Sequence, residues 1–135
     1  MTQTNGRVMV VDDEADVRTV ARMCLEQAGY QVIEAEDGEQ AIKKIKEGDN
    51  PLVLDVIITD INMPKVNGLE AIQFFQQEWP RVPLMVMTGY PNLETAKELL
   101  KRGLVDYLVK PVDKEKLLEA VEKAMSQREL SSFTN

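Results

Sequence analysis

The feature that most constrains this chain is a rhythm in its apolar residues. Short apolar, β-branched runs alternate about five times with stretches whose apolar residues recur every three or four positions. Arg7–Val11, Gln31–Ala35, Val53–Thr59, Leu84–Thr88 and Asp106–Val109 read as strands. They are near-continuous apolar runs rather than alternating ones, which suits a parallel sheet covered on both faces. Right-handed crossovers then place helices on both sides of it. The expected fold class is therefore α/β, a doubly wound five-stranded parallel sheet with five helices.

The helical stretches carry their own punctuation. Glu14–Ala28 places Val17, Val20, Ala21, Cys24, Leu25 and Ala28 on one face, and Gly29 stops it. Asp37 can cap a second helix, with Gln40 three residues on and Ala41, Ile42 and Ile45 inward. Gly48 to Pro51 break it, and Pro51-Leu52 lengthen the following loop. Leu69–Trp79 is the third helix, ended by Pro80. Asn92–Arg102 is the fourth, with Leu93, Ala96, Leu99 and Leu100 inward and Gly103 after it. Asp113 caps the last helix, which carries Leu117, Leu118, Val121, Ala124 and Met125. A polar lead (1–6), one domain (7–127) and a polar tail or linker stub (128–135) are expected.

Charge and missing residue types exclude several functions. The formal net charge of −7 argues against direct nucleic-acid binding and against docking on anionic membranes. No apolar run approaches the roughly 20 residues that span a bilayer. The start of the chain lacks a signal pattern, so a cytoplasmic protein with a natural N-terminus is expected. Cys24 is the single cysteine, which rules out an internal disulfide and suits core packing. The chain has no histidine, so His-ligated zinc and Ser-His-Asp hydrolysis are excluded.

In such a fold, ligands bind beyond the carboxyl ends of the strands. Asp12, Asp13 and Glu14 follow the first strand, Thr59 and Asp60 end the third, Thr88 ends the fourth and Lys110 follows the fifth. Three aspartates at one rim repel unless their pKa values rise or a cation binds. Oxygen donors with incomplete protein coordination suit Mg²⁺. An acidic nucleophile, a divalent cation, an ammonium and a hydroxyl are the parts that stabilise a phosphoryl group in transfer.

At these residues the chain resembles the receiver domains of bacterial two-component response regulators, the CheY-like family. The matching segments are Val8-Met9-Val10-Val11-Asp12-Asp13-Glu14, Ile58-Thr59-Asp60-Ile61-Asn62-Met63-Pro64 with Gly68, Met87-Thr88-Gly89, and Asp106-Tyr107-Leu108-Val109-Lys110-Pro111. The resemblance implies a flavodoxin-like strand order 2-1-3-4-5 and a Mg²⁺ or Mn²⁺ cofactor. Asp60 would be the phosphoacceptor. Asp13 and Asp60 would ligate the metal, with the Asn62 backbone carbonyl, and Asp12 would act through water. Thr88 and Lys110 would contact the phosphoryl oxygens, and a side chain at Gly89 would crowd them. The Lys110–Pro111 bond would be cis.

The resemblance also implies a switch. Thr88 moves toward the phosphoryl group, Tyr107 turns inward, and the face made by the fourth helix, fifth strand and fifth helix changes. The donor would be a histidine kinase or a histidine phosphotransfer protein. The listener would be a downstream protein or output domain, and a homodimer fits the family. Such a receiver catalyses only its own phosphorylation and dephosphorylation and is not a turnover enzyme. Tyr90, two residues beyond Thr88, is placed to shield the phosphoryl group, so slow self-dephosphorylation is expected. The variable stretch Lys65-Val66-Asn67 carries no evident chemistry. The alternative is a non-phosphorylated pseudo-receiver that acts as a binding module, against which the complete acid, threonine and lysine set stands. An aspartyl phosphatase is disfavoured because Asn62 stands where such enzymes carry a second aspartate.

Overall fold

The computed structural model describes residues 4–62 and 68–133. Met63-Pro64 and Lys65-Val66-Asn67, noted above, lie outside the described residues. In chain order the elements are β1 (Gly6–Val11), α1 (Ala15–Gln27), β2 (Tyr30–Ala35), α2 (Gly38–Ile45), α3 (Asn50–Val53), β3 (Val56–Thr59), α4 (Gly68–Glu78), β4 (Leu84–Thr88), α5 (Leu93–Lys101), β5 (Asp106–Val109) and α6 (Lys114–Phe133). The strands form one parallel sheet in the order β2-β1-β3-β4-β5.

Each strand feeds both layers because successive side chains point to opposite faces. Val8, Val10, Val56, Ile58, Met85 and Met87 pack against Ala21 and Leu25 of α1 and Leu117, Ala120, Val121 and Ala124 of α6. Met9, Val11, Ile57 and Val86 pack against Ala41 and Ile45 of α2, Ala71, Ile72 and Phe75 of α4, and Leu99 of α5. The continuous apolar strands are thus explained: both faces are covered.

The punctuation works as its chemistry dictates. Asp37 accepts the Gln40 N–H at 2.8 Å, and the Gln40 side chain reaches back to the Glu36 N–H at 2.8 Å. Asp113 accepts the Lys116 N–H at 2.8 Å. Gly29 turns the chain at φ 93°, where a Cβ would stand 2.7 Å from the Asn5 amide nitrogen. Asn5 donates to the Ala28 carbonyl and through its backbone to the Gly29 carbonyl, tying the start of the chain to this turn.

Some expectations need correction. Six helices are described rather than five, because Asn50–Val53 forms one extra turn with Pro51 near its start. The third strand therefore begins at Val56, not Val53. Val20, Leu93 and Leu100, expected inward, are 58%, 69% and 47% exposed. They sit on the flanks of their apolar stripes, while Ala21, Leu25 and Leu99 at the centres are buried. Helix α6 runs through the polar segment as far as Phe133.

Candidate functional site

Register brings the acids together. Val11 pairs with Thr59 across β1 and β3, so the next residues, Asp12 and Asp60, leave the sheet side by side. The Asp60 N–H donates to the Val11 carbonyl at 2.9 Å. The strand order reverses between these two strands, since β1 is followed by β2 on one side and β3 on the other. Such a reversal opens a crevice at the carboxyl ends. On the other side, Thr88 pairs with Val109, and the Lys110 N–H donates to the Thr88 carbonyl at 2.8 Å. Lys110 is thereby aimed back across the rim. The Lys110–Pro111 bond is cis.

Among the described residues, one ammonium serves the acids. Lys110 Nζ donates to Asp60 Oδ2 at 2.8 Å and to Glu14 Oε1 at 3.2 Å. It also stands 2.7 Å from Asp12 Oδ2, a contact of charge with charge that lacks hydrogen-bonding geometry. Asp12 is fully buried and Asp60 is 4% exposed. Burial pushes the Asp12 carboxyl above its ordinary 3.8, although Lys110 and the Glu14 N–H pull against it. Burial alone would lower the Lys110 ammonium, but its contacts with Asp12 and Asp60 outweigh that and hold it above 10.5.

The remaining polar groups are committed to defined partners. Asp60 Oδ1 accepts the Asn62 N–H at 2.9 Å. Thr88 Oγ1 accepts the Asn62 side-chain amide at 2.8 Å and the Tyr90 N–H at 3.1 Å. With both acceptor positions taken, the hydroxyl has its proton left to donate. Carboxylate oxygens of Asp12, Asp13, Glu14 and Asp60 lie within 4.8 Å of one another. Asp13 is exposed, and among the described residues nothing hydrogen-bonds or pairs with its carboxylate. A buried Asp12 oxygen without a hydrogen bond, a free Asp13 and an all-oxygen donor set fit a hard divalent cation.

The structure thus gathers Asp12, Asp13, Asp60, Asn62, Thr88 and Lys110 at one rim. Tyr107 stands apart, half-buried on β5, its hydroxyl accepting the Asn92 N–H at 3.3 Å. A Cβ at Gly89 would meet only the Lys110 stem, at 3.9 Å. Two contributors were given no role from the sequence. Glu14 reaches Lys110 across 96 positions, which no local pattern reveals. Arg18 donates to the Asp12 main-chain carbonyl at 2.6 Å and to Glu34 at 3.1 Å. Its one clue was a cation in the first turns of a helix, where the helix dipole disfavours it.

The raised Asp12 carboxyl has a measurable consequence. A carboxyl that holds its proton more tightly folded than unfolded adds stability on acidification and loses it as pH rises through the folded value. Asp12→Asn is therefore expected to stabilise the metal-free protein at neutral pH. The gain over wild type should shrink as pH falls toward 3.8, read as urea midpoints of both proteins across that range. A gain that grew on acidification would contradict this account.

The comparisons with known proteins agree with this geometry. The model of the response regulator receiver domain matches residues 8–122. Accordingly, the chain belongs to the response regulator receiver domain family. The transcriptional regulatory protein ZraR of Escherichia coli K12 is 35% identical over 126 residues, 93% of this chain and 28% of that protein. The chain thus spans under a third of that relative's length. A receiver domain protein from Clostridium thermocellum superposes with a TM-score of 0.85 at 29% identity, covering 93% of this chain and 98% of the other. The beryllofluoride-activated NtrC4 receiver domain dimer gives 0.82 at 34% identity, covering 90% and 98%. Among the described residues, no helix is long and apolar enough to cross a membrane.

Proposed function

We propose that this domain accepts a phosphoryl group on Asp60 from a phosphohistidine of another protein and reports it through its α5-β5-α6 face. The observation that carries the reading is the Lys110 ammonium, held between Asp12 and Asp60 beside an Asp13 that pairs with nothing among the described residues. These 135 residues hold no histidine, so the phosphohistidine lies outside them, and the proposed donor is a histidine kinase or a histidine phosphotransfer protein.

In the transfer, an Asp60 carboxylate oxygen attacks phosphorus in line. The new bond joins that oxygen to phosphorus, and the bond to the donor's imidazole nitrogen breaks. Asp13, Asp60 and the Asn62 carbonyl would hold Mg²⁺ or Mn²⁺, with Asp12 acting through water. Bound there, the cation would neutralise charge on the phosphoryl oxygens. Lys110 remains charged throughout and can follow the arriving phosphate, and the Thr88 proton is available to a phosphoryl oxygen.

Phosphorylation adds about −1.5 to −2 charges and new acceptor oxygens. Drawing Thr88 toward them disturbs its contacts with Asn62 and Tyr90, and Tyr107 on the adjacent strand responds. Tyr107→Ala should take up phosphate yet show a reduced chemical-shift change across α5, β5 and α6. A full response in that variant removes Tyr107 from the switch. Tyr90 is 78% exposed beside Thr88. Tyr90→Ala should dephosphorylate severalfold faster, on the order of threefold, if its ring limits water access. An unchanged hydrolysis rate rules that out.

The listener is an output domain or a separate protein, and the ZraR match supports a regulatory setting. A homodimer is part of the proposal, supported by the dimeric state of the NtrC4 receiver domain. Incubation with acetyl phosphate and Mg²⁺, followed by intact-mass measurement, tests the function. One added phosphoryl group that disappears when the cation is chelated is expected. An unmodified protein would overturn the reading and favour a pseudo-receiver.

A further inference from the structure

Asp13 presents a puzzle of support. Its carboxylate is exposed and, among the described residues, touches no partner. A metal ligand ordinarily needs groups behind it that fix its direction. Here the support lies in the backbone on either side. The carbonyl of Asp12 belongs to the peptide that joins Asp12 to Asp13, and Arg18 Nη1 donates to it at 2.6 Å. The next peptide is held by its N–H: Glu14 N donates to Asp12 Oδ1 at 2.9 Å. Both peptide planes flanking Asp13 are thus clamped; planar peptides are related only through φ and ψ of the residue between them, so the Asp13 backbone is fixed and only its side-chain torsions turn.

Arg18 is itself well held. Its side chain is 17% exposed, and its Nε donates to Glu34 Oε1 at 3.1 Å. Glu34 lies on β2 and also pairs with Arg22 at 3.2 Å. The Asp12 N–H donates to the Ala35 carbonyl of the same strand at 3.0 Å. The turn bearing the acid pair is therefore anchored to the edge strand on its outer side, while Lys110 holds its inner side.

We infer that Arg18 is a positioning residue for the acid pair: by clamping the Asp12–Asp13 peptide it sets the affinity of the site for a divalent cation. This rests on the reading of the acid pair as a cation site. A lysine could reach one of the two partners but not span both as the guanidinium fork does.

Mn²⁺ binding, followed by the electron paramagnetic resonance of the free ion, tests it at temperatures well below each variant's melting midpoint. Arg18→Ala is expected to weaken Mn²⁺ binding about tenfold, as loss of outer-shell support does. Arg18→Lys should recover to within about threefold of wild type, since one donor is restored. A folded Arg18→Ala that binds Mn²⁺ like wild type, with only a lowered melting midpoint, overturns the inference and leaves Arg18 a tie between α1 and β2. If Arg18→Ala does not fold, Glu34→Gln decides. Loosening Arg18 should weaken binding about threefold, and unchanged affinity overturns the inference. Wild type that fails to bind Mn²⁺, or Asp13→Asn that binds it undiminished, instead overturns the cation-site reading itself.

Discussion

Asp60→Asn is expected to take up no phosphoryl group from acetyl phosphate under conditions that modify wild type fully, while keeping the fold. The amide oxygen can still accept the Asn62 N–H that Asp60 Oδ1 accepts at 2.9 Å. What disappears is the anion, and with it the nucleophile. The other rim acids are poorly placed substitutes. Asp12 is fully buried, with one oxygen receiving the Glu14 N–H and the other against Lys110. Asp13 is accessible but, among the described residues, pairs with no ammonium that could meet an arriving phosphate. Intact mass, followed by peptide mapping of the wild-type adduct, checks the result. Modification persisting at full yield in the variant would remove Asp60 from the acceptor role, and mapping to Asp13 would transfer the role there.

Lys110→Ala is expected to cost the metal-free protein about 3 kcal/mol at neutral pH, since removing one partner strands buried charge. Two nearly buried carboxylates, Asp12 and Asp60, lose the only cation within 4.0 Å recorded for them among the described residues. The ammonium's folded pKa is raised, so its contribution is complete below 10.5 and is lost only as pH rises through the still higher folded value. The deficit should therefore be present throughout the neutral range. It should shrink on acidification, as Asp12 takes its proton, and on addition of Mg²⁺. Lys110→Met, which keeps most of the stem, separates lost packing from lost charge. Urea midpoints for both variants read the effect, and a midpoint equal to wild type would show that the ammonium does not offset the acid cluster.

Much of this was legible in the chain because strand ends are legible. β4 and β5 begin and end where their apolar runs do. The polar residue that ends or follows each run therefore falls at the rim. Gly29, Asp37 and Asp113 act as local backbone chemistry requires, because a left-handed turn and an N-cap are set within a few residues. The one-turn helix Asn50–Val53 was not legible, since four residues show no helical period. Val20, Leu93 and Leu100 were misplaced because periodicity gives the direction of an apolar stripe, not its width. The contacts of Glu14, itself legible at the rim, and of Arg18 were not legible because their partners are set by folding. Glu14 meets a lysine 96 positions away, and Arg18 meets a main-chain carbonyl, which no side-chain motif encodes.

The distance along the chain between Asp60 and its counter-ion has a consequence for biosynthesis. Lys110 follows Asp60 by 50 residues. At roughly 10 residues per second, Asp60 leaves the ribosome about five seconds before the lysine does, and Asp12 earlier still. During that interval Asp12 and Asp60 lack the ammonium that stands between them in the folded domain, so closing β1 against β3 would bring the two acids together without it. The nascent chain therefore has reason to keep its central strands apart until β5 emerges. A polypeptide stalled before Lys110 would carry the Asp60 carboxylate yet lack its ammonium, so the rim would be complete only once β5 and the residue after it had been made.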